Sequence, residues 1–290
     1  MEIQGHRGCR GLMPENTWPA FRHAMDLGVD VLEMDACITA DGLVVVSHEP
    51  WMNRDLCRPS AEGERNDSPE PGKAPPGNLA PANAVDEASE QLHFGRMTYA
   101  QIAAWDCGSL GNPRFPEQFK QIATKPRLDS LLAACEAYAA LRGRTIGYNI
   151  ELKARPAWDG VQQPPPEEAL PLLLAVIQEA GVWERTHLQS FDYRVLRLAH
   201  EHAPDLPVVQ LVEANPAWPL EWAALGFTPD VYSPWHPLVN RALVRAAHKK
   251  GIRVIPWTVN ETADMERLRK MGVDGLITDY PDRAIKLFGP

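Results

Sequence analysis

At 290 residues and 44% hydrophobic, the chain can bury a full core, and its length suits either two modest domains or one large α/β barrel. A net charge of -9 excludes a broad basic surface for nucleic acid or anionic membrane, so a negatively charged substrate would need cations gathered locally. No apolar run approaches a membrane span and the opening MEIQGHRG lacks the features of a signal peptide, so a cytoplasmic enzyme is expected.

A short strand over 3–8 runs straight into "HRGCRGLMPENTWPAF". His6 and Arg7 between Gly5 and Gly8 suit neither a buried strand nor a solvated tail, and the glycines would let backbone approach a ligand. A helix follows, with Asn16 or Thr17 as cap, Trp18, Phe21 and Met25 on one face and Gly28 as stop. The strand 30–36 is linked to 43–48 by a loop too short for a parallel crossover, and Asp41-Gly42 is a hairpin signal. Residues 53–97 are rich in Pro, Glu, Asn and Gly and read as a polar insertion that cannot order itself as a domain.

Helical periodicity resumes in "MTYAQIAAW" and "RLDSLLAACEAYAAL". Further strands are expected at 145–152, 186–191, 207–212, 230–233, 252–258 and 274–278, alternating with helices that stop at Gly181, Gly251 and Gly272. That rhythm predicts parallel strands wrapped by helices, with one antiparallel strand from the hairpin. The cysteines at 9, 37, 57, 107 and 135 show no C-x-x-C spacing and are expected as reduced thiols.

Glu33 and Asp35 share one face of their strand, which is either solvated or, if buried, needs a positive group between two repelling carboxylates, a metal cation or a neutralising arginine. In the hairpin, residues whose numbers sum to about 83 should face one another, which brings His48 to Asp35 within a residue or two. In "GYNIELKARP", Asn149, Glu151 and Lys153 also share a face, at a strand end where a barrel keeps its chemistry. Glu33, Asp35 and Glu151 are therefore the candidate metal ligands, and an all-oxygen set suits Mg2+ or Ca2+ better than zinc. Arg7, Lys153 and that cation would converge on a phosphate, with His6 and His48 beside it as acid and base. Trp257, ending a late strand, is placed either against a glycerol moiety or in the core.

This ordered set resembles the glycerophosphodiester phosphodiesterase family. The resemblance is carried by H-R-G and P-E-N-T within His6 to Ala24, by D-x-L-E-x-D from Asp30 to Asp35 and by T-x-D-G-x-x-V-V-x-H from Thr39 to His48. It continues through E-L-K at Glu151 to Lys153, Q-S-F at Gln189 to Phe191, W-T-V-N at Trp257 to Asn260 and D-G-L-I-T-D-Y-P at Asp274 to Pro281. The resemblance implies a (β/α)8 TIM barrel over residues 1–290 as a single domain, with one extra antiparallel hairpin strand and the 53–97 insertion over the catalytic mouth. It also implies divalent-cation-dependent hydrolysis of a small-molecule glycerophosphodiester to glycerol 3-phosphate and an alcohol. His6 and His48 would be the catalytic pair, Glu33, Asp35 and Glu151 the metal ligands, and Arg7 and Lys153 the phosphate contacts. Where the family usually carries aspartate after the second histidine, this chain has Glu49. The alternative on the same barrel is a lysophospholipase D or sphingomyelinase D-like activity.

Overall fold

The computed structural model of the chain describes residues 1–60, 92–214, 222 and 224–289. In chain order the strands are β1 (Glu2–Gly5), β2 (Val31–Ile38), β3 (Val44–Val46), β4 (Arg58–Pro59), β5 (Trp105–Asp106) and β6 (Gly147–Leu152). They continue with β7 (Thr186–Ser190), β8 (Val208–Val212), β9 (Val231–Pro234), β10 (Arg253–Val254) and β11 (Gly275–Thr278). Parallel pairing runs β10-β9-β8-β7-β6-β2-β1-β11, with β3 off this path beside β2. The two ends of that row also meet, because the Asp274 and Ile277 N–H groups donate to the Val254 and Pro256 carbonyls, both at 2.9 Å. The result is a nearly closed (β/α)8 barrel with extra hairpin strands.

Local sequence accounts for most of these elements. Helix α1 (Trp18–Leu27) buries Phe21 and Met25 and ends at Gly28 in the left-handed conformation, as its spacing predicts. Thr17, one of the two expected caps, stands at the N-cap, although its hydroxyl donates to the Pro14 carbonyl instead of capping, and the Asn16 side chain is drawn away to Asp35. The hairpin exists with numbers summing to 82 (Cys37 opposite Val45), so Ser47 faces Asp35 and His48 lies one residue beyond. The expected strand over 252–258 is shorter because Pro256 has no N–H to place in a ladder.

The main core lies between barrel and helices and contains Leu32, Met34, Ile150 and Leu152, the strand faces opposite the acidic ones. Inside the barrel the filling is divided. Val209, Val231, Ile255 and Ile277 pack together on one side. On the other, Gln189 donates to Glu33 (2.6 Å), and Asn149 donates to Gln189 (3.0 Å) and Gln4 (2.8 Å).

One expectation for the region after His48 is revised. Its described flanks pack with Cys37 and Val45 of the β2–β3 hairpin in a second, smaller core, in which Met52, Phe94, Met97, Ile102 and Trp105 are buried, and β4 pairs antiparallel with β5. Cys57 and Cys107, expected as free thiols, form a disulfide there. Motif spacing could not reveal it, since only the β4–β5 pairing brings positions 50 residues apart together. The rest of the expected insertion, 61–91, lies outside the described residues.

Candidate active site

The opening motif forms a tight turn leaving β1. Arg7 (φ 49°) and Asn16 (φ 56°) both take the left-handed backbone that costs a side-chain-bearing residue energy. The glycines serve this turn rather than a ligand: a Cβ on Gly8 would lie 2.7 Å from the Ala20 backbone carbon, and one on Gly5 2.1 Å from the Gly8 carbonyl oxygen. So folded, the turn aims the Arg7 N–H at Glu33 Oε2, 2.8 Å away. It also sets the His6 imidazole between two carboxylates: Nδ1 lies 2.6 Å from Asp279 Oδ1, and Nε2 lies 3.9 Å from Glu33 Oε2.

Glu33, Asp35 and Glu151 each present an oxygen within 4.8 Å of the others, and all three are buried. Burial and the neighbouring Asp35 charge push Glu33 well above the usual carboxylate range. Burial likewise raises Glu151 to about 7, even though Lys153 Nζ lies 2.8 Å from its Oε1. Asp35 goes the other way: burial would raise it, but Arg7 (Nε to Oδ2, 3.2 Å) and Lys153 (Nζ to Oδ1, 3.6 Å) hold it well below its ordinary value. Asn16 Nδ2 donates to Asp35 Oδ2 at 2.8 Å.

Three buried carboxylates, two of them resisting ionisation, fit a hard divalent cation. Oxygen–oxygen separations of roughly 3–5 Å are what metal–oxygen bonds of about 2.1–2.5 Å require. Ion binding would convert the repulsion that raises Glu33 and Glu151 into attraction.

His48 reaches the same place from the hairpin. Burial together with the Arg7 and Lys153 charges pushes its imidazole below the ordinary value, and its Nδ1 lies 2.9 Å from Glu49 Oε1. Glu49 is in turn held down at about 2, where His48 and Lys125 outweigh the cost of burial. Both histidines open onto one cavity of about 580 Å³, lined also by Arg7, Glu33, Glu151, Lys153 and Trp257. Asp35 sits behind this wall, bonded to it rather than exposed in it. Every candidate residue from the sequence thus belongs to one constellation at the carboxyl ends of the strands, where a barrel of this kind performs its chemistry.

The model of the glycerophosphoryl diester phosphodiesterase family matches residues 6–283. The chain belongs to that family. It is 30% identical over 287 residues to a glycerophosphodiester phosphodiesterase of Caldanaerobacter subterraneus subsp. tengcongensis, covering 98% of this chain and 96% of the relative. A crystal structure of a family member from Silicibacter pomeroyi shares 31% identity and a TM-score of 0.78, over 99% of this chain and 92% of the other. A human relative named lysophospholipase D is 24% identical over 292 residues, covering 97% of this chain and 83% of its own. The chain is thus an enzyme of the glycerophosphodiester phosphodiesterase type.

The structure of this phosphodiesterase adds residues that sequence reasoning did not assign. Asp279 accepts from Arg10 (2.8 and 3.1 Å) and Asn260 (2.8 Å) besides pairing with His6. These partners outweigh burial and hold its carboxyl far below the carboxylate range. Asn16, Gln189 and Asp279 all stood inside quoted motifs. Their tasks were hidden because each partner is distant in the chain, 273 residues away for Asp279 and His6.

Proposed function

We propose that this phosphodiesterase hydrolyses glycerophosphodiesters to glycerol 3-phosphate and an alcohol, with His6 and His48 as the acid–base pair and Glu33, Asp35 and Glu151 holding Mg2+ or Ca2+. The observation that carries this reading is the convergence of both histidines, two of the carboxylates and both cationic side chains on one cavity, with the third carboxylate bonded directly behind. A bound divalent ion would supply charge neutralisation at the phosphoryl oxygens.

Arg7 and Lys153 anchor the phosphate. His6 donates its Nδ1–H to ionised Asp279, which leaves Nε2 bare and aimed toward Glu33. In that tautomer His6 takes the proton from the attacking oxygen. His48, with Glu49 beside it and a third of its side chain exposed, gives a proton to the departing alkoxide. With the glycerol 2-hydroxyl as attacker, the phosphorus–alcohol bond breaks as a cyclic phosphate forms, and water then opens that ring to glycerol 3-phosphate. Trp257 packs against the organic part of the diester. The cytoplasmic location expected from the N-terminus is opposed by the Cys57–Cys107 bridge, which favours an oxidising compartment.

His6→Ala and His48→Ala are each expected to lower kcat by about two to four orders of magnitude with the circular dichroism spectrum unchanged. Near-normal turnover in both would refute the assignment. A diester lacking the 2-hydroxyl should not be cleaved. Faster hydrolysis of lysophosphatidylcholine than of glycerophosphocholine would favour the lysophospholipase D reading instead.

A further inference from the structure

The mouth has a second sector whose chemistry the phosphate site does not use. Phe191 follows β7, Glu213 follows β8, Trp235 follows β9 and Trp257 follows β10. All four line the 580 Å³ cavity. Phe191 and Glu213 also border an adjoining cavity of about 400 Å³.

The aromatic rings there are presented as surfaces. Phe191 and Trp257 stand at 86° with centroids 5.4 Å apart, and the Trp257 indole N–H is already given to the Ser233 carbonyl at 2.9 Å. Trp235 is 44% exposed at the rim. Lys153 lies 5.9 Å over the Phe191 ring, which marks where the phosphate sector ends. The Glu213 carboxylate is exposed and, among the described residues, engages no hydrogen bond or ion pair. Arg155 borders both cavities from the β6 side, with its guanidinium 5.0 Å over the Trp158 ring.

We infer that this sector receives the leaving alcohol and that this alcohol carries an organic cation, with a quaternary ammonium such as choline preferred. π-Faces around an unpaired carboxylate attract a cation, and a trimethylammonium group asks for no hydrogen bonds, which this wall is poor in supplying. A primary ammonium would bring three donors, and the rings beside Glu213 offer them no acceptors. The glycerol is left the opposite sector, where Arg10, Asn260 and Asp279 line the cavity between β10 and β1, so Trp257 meets the leaving alcohol rather than the glycerol. The inference rests on the proposed hydrolysis for the direction in which the diester lies.

The test uses the full chain supplied with Mg2+ and the choline, ethanolamine, glycerol and serine esters of glycerol 3-phosphate. The choline ester should exceed the glycerol ester in kcat/KM by at least about tenfold. Glu213→Gln and Trp235→Ala should each cut that ratio to about threefold or less. Equal rates, a preference for the serine ester, or a ratio unmoved in both variants would overturn the inference. A second measurement is independent of turnover: choline alone should quench tryptophan fluorescence saturably, and Glu213→Gln should abolish the saturation. Unsaturable quenching by choline sinks the inference, whereas saturable quenching with no ester cleaved supports it and sinks the hydrolytic reading alone.

Discussion

Asp279 decides what His6 can do. Ionised and buried, it fixes one tautomer of the imidazole and leaves the other nitrogen free, a task an amide of the same shape cannot reproduce. Asp279→Asn is expected to lower kcat by about two to three orders of magnitude while KM moves by less than about threefold, a split read from steady-state kinetics. The same pocket makes stability pH-dependent. Burial is the main force holding His6 down at about 4, against an ordinary value of 6.5, so between those values the unfolded chain binds a proton that the folded chain refuses. Stability from this group is present above pH 6.5 and is lost as pH falls towards 4, by at most about 3 kcal/mol. Chelated His6→Asn should therefore show a flatter dependence of thermal midpoint on pH in that window.

At the scale of elements, the turn after β1 places one wall of the site, and the β4–β5 pairing ties the segment after His48 to the one that leads to Arg114 and Phe115 at the cavity. Gly8 has φ 85° and no room for a methyl group against α1, so Gly8→Ala is expected to destabilise the fold by roughly 2–4 kcal/mol and to displace both His6 and Arg7. Chemical denaturation gives the first effect and turnover the second. The β4–β5 strands are two residues each and depend on the Cys57–Cys107 bridge and a small core. Closing a loop of this length is worth up to about 4 kcal/mol in the chain-entropy account. Reduction, or Cys57→Ser with Cys107→Ser, should lower the thermal midpoint while the far-ultraviolet spectrum of the barrel persists.

Over the whole molecule, the barrel mouth is divided by charge. Strands β1, β2 and β6 carry acids and bases that oppose one another, and β7 to β10 end in aromatic rings and one carboxylate. The acidic trio is a cost to the fold that a divalent cation would remove. Titrating Mg2+ or Ca2+ into chelated protein should raise the thermal midpoint together with turnover. At a hundredfold excess over Kd the gain is about 2.7 kcal/mol. Glu33→Gln should reduce that gain, because it removes one of the three carboxylates that would hold the ion.

How much of this was legible follows from the range of each interaction. Alternation along β2 and β6 put Glu33, Asp35, Glu151 and Lys153 on inward faces, the Asp41-Gly42 hairpin brought His48 near them, and Gly28 stopped its helix, because a strand's period and a turn's geometry are local properties. The choice of His6 tautomer, the tether from Asn16 to Asp35, the amide ladder under Glu33 and the Cys57–Cys107 bridge were decided only by tertiary structure. Each joins residues whose separation along the chain carries no periodic signal, and only closure of the barrel sets β11 beside β1 and so Asp279 beside His6.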